Sequence, residues 1–154
     1  MIHLKVLVLN GPNLNRLGKR EPDIYGTTTL TELEEQLKEL ALKNHVELDF
    51  AQTNSEGKLI DLIHAAEGSY DYIILNPGAF SHYSIAIRDA ICSVQVPVIE
   101  VHISNIYARE EFRHKSILAP VTVGQISGFG IYSYTLALLA AIQLNGGGLS
   151  NAKY

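Results

Sequence analysis

The triplet Glu100-Val101-His102 carries the clearest chemical signal in the sequence. Residues two apart on a β-strand point to the same face, so the Glu100 carboxylate can lie beside the His102 imidazole. A carboxylate there fixes the tautomer through one ring nitrogen and leaves the other to act as a general acid. A buried structural histidine fits the same two residues, but Ser104 and Asn105 just beyond favour a functional one.

The connection from Asn10 to about Thr29 is the second signal. It reads N-G-P-N-L-N-R-L-G-K-R-E-P-D-I-Y-G and carries Arg16, Lys19, Arg20 and Tyr25, with Gly18 and Gly26 as hinges. Structureless loops beyond about 12–15 residues are usually lids, binding loops or disordered segments. A basic, glycine-hinged segment over residues 16–27 can close over an anion and expel water. A solvated surface loop is the plainer alternative. Arg109 and Arg113 are four apart, on a short charged helix predicted from about Ala108 to His114. On one helix face, two guanidinium groups suit hydroxyls or a carboxylate, unless Glu110 or Glu111 engages them instead. His82 and Asp89, seven apart, share a predicted helix face with the same ambiguity.

These residues need a scaffold that brings them together. Ile2–Leu9 is nearly continuously apolar, as a strand covered on both faces requires. Val46, Leu48 and Phe50 alternate with polar residues, so that strand lies nearer an edge. Tyr72–Leu75, Val96–Val101 and Val121–Ile126 complete five strands. Between them, Thr31 and Glu34 form a capping-box signature ahead of Leu37 and Leu40, with Leu33 on the same face. A second helix covers Gly57–Glu67 with Leu59, Leu62, Ile63 and Ala66 inward. A third starts near Ser81 and carries Ile85, Ile91 and Val94. The last, Tyr132–Leu144, is apolar almost all round and needs burial by the sheet or another subunit.

Such alternation predicts an α/β fold, a flavodoxin-like five-stranded parallel sheet with helices on both faces. Ligands in these sheets gather at the carboxyl ends of the strands. Here those ends hold Asn10, Asn13, Asn76, Glu100, His102, Ser104, Asn105, Ser127 and Gly128. Each alone fits a turn or cap, but the group points to a polar pocket. The 154 residues read as one catalytic domain with a frayed tail over 145–154.

Composition narrows the class. With 47% hydrophobic and 18% charged residues the chain is not disordered, and a net charge of −4 argues against nucleic acid or an anionic membrane as partner. The single Cys92 allows no intrachain disulfide and suits a reducing compartment. Without a recognisable signal sequence, a cytoplasmic location is expected. Gly11, Gly18 and Lys19 do not make a phosphate loop, because their spacing is wrong and Arg20 stands where Ser or Thr should be. No GxGxxG follows the first strand, no GxSxG elbow exists, and the six His show no metal-ligand spacing. No cofactor or metal is expected.

Three blocks, 10–26, 76–90 (N-P-G-A-F-S-H-Y-S-I-A-I-R-D-A) and 96–116 (V-P-V-I-E-V-H-I-S-N-I-Y-A-R-E-E-F-R-H-K-S), together resemble the type II 3-dehydroquinate dehydratases of the shikimate and quinate pathways. Ser133, where the family pattern carries Gly, is a departure outside the chemistry. The resemblance implies Tyr25 as the base alpha to a ketone, Arg20 as its activator, and His102, backed by Glu100, as the acid at the departing hydroxyl. It implies that Asn13 holds a water on the enolate oxygen. Asn76, His82, Arg113 and the backbone of Ile103 and Ser104 would bind substrate, with Arg109 in support. Asp89 would reach a neighbouring subunit's pocket, in trimers assembled into a dodecamer.

A phenol base carries an energetic demand. A free phenol is about one part in a thousand ionised at pH 7, and making its anion dominant costs about 4 kcal/mol. Guanidinium groups at Arg20 and Arg109 are the available compensation. No lysine in these blocks is placed for a Schiff base, so an enolate route is expected. The competing classes are a non-catalytic flavin- or nucleotide-binding module and a signalling receiver, which would need acids where Asn10 and Asn76 stand.

Overall fold

Val6 to Leu9 form an unbroken apolar run, as both faces of this strand are covered. A computed structural model describes residues 3–146. Strands β1 (Leu4–Asn10), β2 (Val46–Gln52), β3 (Tyr72–Asn76), β4 (Val98–His102) and β5 (Gly124–Ser127) run parallel in the order β2-β1-β3-β4-β5. The helices are α1 (Pro22–Tyr25), α2 (Leu30–Lys43), α3 (Glu56–Ala66), α4 (Ile85–Ser93) and α5 (Tyr132–Asn145). Leu4, Val6 and Val8 join one core with Leu33, Leu37 and Ala41 of α2 and Tyr134, Ala137 and Leu138 of α5. Leu7 and Leu9 join the opposite core with Leu59 and Ile63 of α3 and Ile87 and Ile91 of α4. Alternate residues of β1 thus anchor two helical layers, the architecture expected from the sequence.

The strand order reverses between β1 and β3, where a crevice opens at the carboxyl ends. Asn10 and Asn76 are register partners there. Gly11 sits so close to the next turn that an added Cβ would stand 2.8 Å from the Pro77 carbonyl oxygen. Only glycine lets the two backbones approach this closely.

Several boundaries differ from the sequence expectation, each for a local reason. Helix α2 is capped by Thr29, whose Oγ1 accepts from the Glu32 amide at 3.2 Å, and not by Thr31. The same Thr-x-x-Glu spacing occurs two residues earlier, in extended backbone. Strand β4 begins at Val98, just after Pro97, and Pro120 helps set a 3-10 turn (Ala119–Val121) that delays β5 to Gly124. Helix α4 starts at Ile85 under the Ser84 cap, while His82 closes a separate 3-10 turn (Gly78–His82). His82 and Asp89 therefore do not share a helix face. Ile85 is 66% exposed, and Ile87 and Ile91 are buried.

The helix expected over 108–114 is absent. Two 3-10 turns, Ile106–Ala108 and Glu111–Arg113, flank an extended Arg109 (φ −110°, ψ −165°). The long loop after β1 is not structureless: it holds a 3-10 turn (Leu14–Arg16) and α1. The frayed tail expected over 145–154 falls largely outside the described residues.

Candidate active site

The carboxyl ends of β1, β3 and β4 and the loop after β1 enclose a cavity of about 580 Å³, open to solvent. Asn13, Arg20 and Tyr25 come to it from the first loop. Asn76 and His82 line it from β3 and the following turn. His102, Ile103 and Ser104 line it from β4, with Arg109 and Arg113 beyond. Ten residues singled out in the sequence thus meet in one cavity. Glu100 lies behind His102, and Asp89 is exposed on α4, away from the cavity lining.

The first loop is folded over this cavity through Tyr25. Arg109 Nη1 donates to the Tyr25 hydroxyl at 2.6 Å. The Arg20 guanidinium lies 4.7 Å from the centre of the same ring, and that of Arg109 5.2 Å. The direct contact with the phenolic oxygen therefore comes from Arg109, while Arg20 rests against the ring. Arg109 and Arg113 both line the cavity although the helix expected to align them is absent. Arg109 Nε is buried with no hydrogen-bond partner among the described residues, an unsatisfied cationic donor at the cavity wall. Glu21, in left-handed backbone at φ 38°, stands 3.9 Å from both Arg20 Nε and Arg109 Nη2. Arg113 Nε meets Glu110 at 3.1 Å, and this partner holds the Glu110 carboxyl below its usual range. Arg113 is thus both an ion-pair partner and a cavity residue.

On the opposite side, His102 Nε2 and Glu100 Oε2 are 2.5 Å apart, with Glu100 wholly buried. The i, i+2 pairing expected from the strand is present. A buried carboxylate is costly unless fully hydrogen-bonded. Ser116 Oγ, at 2.9 and 2.8 Å, and Gln125 Nε2, at 3.0 Å, supply the remaining donors. The His82 ring lies near-parallel to that of His102 at 6.2 Å. His82 Nδ1 donates to the Lys115 carbonyl at 2.9 Å. Burial pushes the His82 pKa down, against the raising effect of that hydrogen bond; His102 and Arg113 lower it further.

Asn76 is held from behind by a residue the sequence reading passed over. The fully buried Tyr134 hydroxyl donates to Asn10 Oδ1 at 2.6 Å and accepts from Asn76 Nδ2 at 2.8 Å. Burial raises the Tyr134 pKa, so the phenol stays protonated and able to donate. Ser116, Gln125 and Tyr134 all escaped the sequence reading. Only one signal was available for any of them, a tyrosine hydroxyl inside a mostly apolar helix. Among the described residues no group of three or more His, Cys, Asp or Glu is placed to hold a metal.

Comparison with known proteins agrees with this geometry. The sequence model of the family described as dehydroquinase class II matches residues 4–142. The 3-dehydroquinate dehydratase of Anoxybacillus flavithermus is 64% identical over 141 residues, covering 92% of this chain and 95% of that one. The crystal structure of a type II dehydroquinase from Butyrivibrio crossotus superposes with a TM-score of 0.88 at 48% identity, covering 90% of this chain and 97% of that one. The type II dehydroquinase of Propionibacterium acnes gives a TM-score of 0.88 at 46% identity, covering 92% and 99%. With a family match across nearly every described element and the same fold at high identity, this chain belongs to the class II dehydroquinase family.

Proposed function

We propose that the chain dehydrates 3-dehydroquinate to 3-dehydroshikimate by anti elimination through an enolate, with Tyr25 as base and His102 as acid. The observation that carries this reading is that Tyr25 and His102 line one cavity, the first against a guanidinium and the second against a buried carboxylate. Tyr25 removes the proton alpha to the ketone. Arg109, in hydrogen-bond contact with the phenolic oxygen, and Arg20, over the ring, stabilise the negative charge that the base must carry. The electron pair left on carbon moves to the ketone oxygen, forming the enolate. Asn13 holds a water against that oxygen. The enolate then collapses, the carbon–oxygen bond beta to the carbonyl breaks, and His102 protonates the departing hydroxyl so that it leaves as water.

Asn76, His82, Arg113 and the amides of Ile103 and Ser104 bind the substrate's hydroxyl and carboxylate groups. Arg113 is the one among them with the charge for a carboxylate. Asp89 reaches the cavity of a neighbouring copy, in trimers assembled into a dodecamer. The exposed Tyr132, Phe129 and Leu139 on and beside α5 support burial against other copies. No helix among the described residues is long and apolar enough to cross a membrane. A cytoplasmic location belongs to this same proposal and rests on the lone Cys92. The flavin- or nucleotide-binding alternative has no observation in its favour.

The test adds 3-dehydroquinate to the purified protein and follows ultraviolet absorbance of the conjugated enone product. A steady rise is expected, and no rise with folded, concentrated protein would reject the assignment.

A further inference from the structure

The Glu100 carboxylate is surrounded by groups that can only donate to it. Ser116 Oγ already accepts the amides of Leu118, at 3.2 Å, and Ala119, at 3.1 Å. A hydroxyl has two lone pairs and one proton, so what remains to Ser116 is to give its proton to Glu100. Its oxygen lies 2.9 and 2.8 Å from the two carboxylate oxygens. Gln125 faces Glu100 across the β4–β5 ladder as its register partner and places Nε2 3.0 Å from Oε2. His102 Nε2 completes the set at 2.5 Å.

From this geometry we infer that Ser116 and Gln125 are positioning residues that act on the proposed reaction through Glu100 and His102. They hold Glu100 as a pure acceptor, which obliges His102 to keep its proton on Nε2 toward Glu100 and to present Nδ1 to the cavity. Neither residue lines the cavity, so neither touches a bound substrate. The inference rests on the proposed role of His102 but adds a claim about its tautomer that can be read without turnover. Without Ser116, one carboxylate oxygen loses its donor, and Glu100 can rotate or take up a proton. His102 would then lose the partner that selects its tautomer.

Ser116 also caps the turn before β5, so Ser116→Ala alone confuses two roles. A double-mutant cycle separates them. In the wild-type background Ser116→Ala is expected to lower kcat by about tenfold to a hundredfold, part of what general acid catalysis contributes. KM should change little, and Ser116→Thr should restore most of the loss. In a Glu100→Gln background, Ser116→Ala should have almost no further effect on kcat. An equal loss in both backgrounds, or no loss in either, overturns the inference. Gln125→Leu, which spares the cap, should follow the same pattern with a smaller loss and serves if Ser116→Ala does not fold. Nitrogen-15 NMR of the imidazoles gives the arm independent of activity. The wild type should show His102 protonated on Nε2 when neutral, and Ser116→Ala should show a tautomer mixture. An unchanged tautomer would overturn the inference even if turnover fell. Absence of turnover in the wild type would instead reject the substrate assignment and leave the tautomer result standing.

Discussion

The Tyr25 hydroxyl and Arg109 Nη1 are 2.6 Å apart, although 84 residues separate them in the chain. This contact ties the first loop to the segment after β4 and sets a cation against the oxygen proposed as the base. In the proposed reaction this guanidinium would stabilise the charge that the base carries. Arg109→Met removes the cation beside the proposed base and should lower kcat by about a hundredfold or more, within the range that general base catalysis contributes. Steady-state kinetics would check it, with circular dichroism confirming an unchanged fold. Arg109→Lys should retain part of the rate, because it keeps the charge but loses the fork.

Glu100→Gln preserves shape but replaces an acceptor oxygen with an amide donor facing His102 Nε2, Ser116 and Gln125. Dehydration should fall by about a hundredfold or more, as expected for a mispositioned general acid. Stability should fall too, because buried donors are left without an acceptor, at about 1–3 kcal/mol. Urea unfolding measures the second effect and turnover the first.

The His82 imidazole should titrate below 6.5 in the folded protein, because burial disfavours its cation. The folded state then binds this proton less readily than the unfolded chain does. Stability linked to His82 is complete above about pH 6.5 and is lost as pH falls through the lower, folded value. NMR titration of the ring gives the midpoint directly. Urea midpoints between about pH 7 and pH 5 should drop further in the wild type than in His82→Asn.

Tyr134→Phe leaves the buried Asn10 Oδ1 and Asn76 Nδ2 without their partner. A loss of about 1–3 kcal/mol is expected for each buried polar group stranded this way. Since Asn76 lines the cavity, KM should rise as well. A variant with wild-type stability and KM would show that this network positions nothing.

The architecture was legible because its signals are local. The run after Met1, the alternation at Val46–Phe50 and the apolar helical spacings each report which faces are covered, and the strand–helix alternation then implies the sheet. The i, i+2 spacing of Glu100 and His102 was legible for the same reason. The 3-10 turns around Arg109 were not. The stretch A-R-E-E-F-R-H has helical composition, yet Asn105 Oδ1 accepts the Tyr107 amide at 3.1 Å and starts a separate short turn. Arg109 then leaves the helical region to reach Tyr25, a tertiary contact that overrides local propensity. Gln125 and Ser116 were invisible because their roles depend on strand register and on a turn closing against β4. Neither leaves a periodic trace in the chain.

In the proposed reaction residue 25 takes the proton and residue 102 protonates the leaving hydroxyl. Solvent exchange of the substrate's alpha hydrogen in heavy water, followed by NMR alongside product formation, separates these two steps. His102→Ala should still exchange that hydrogen for deuterium while product formation stops, and Tyr25→Phe should lose both exchange and product. A Tyr25→Phe protein that still exchanges the hydrogen, or still forms product at a near-normal rate, would remove Tyr25 as the base.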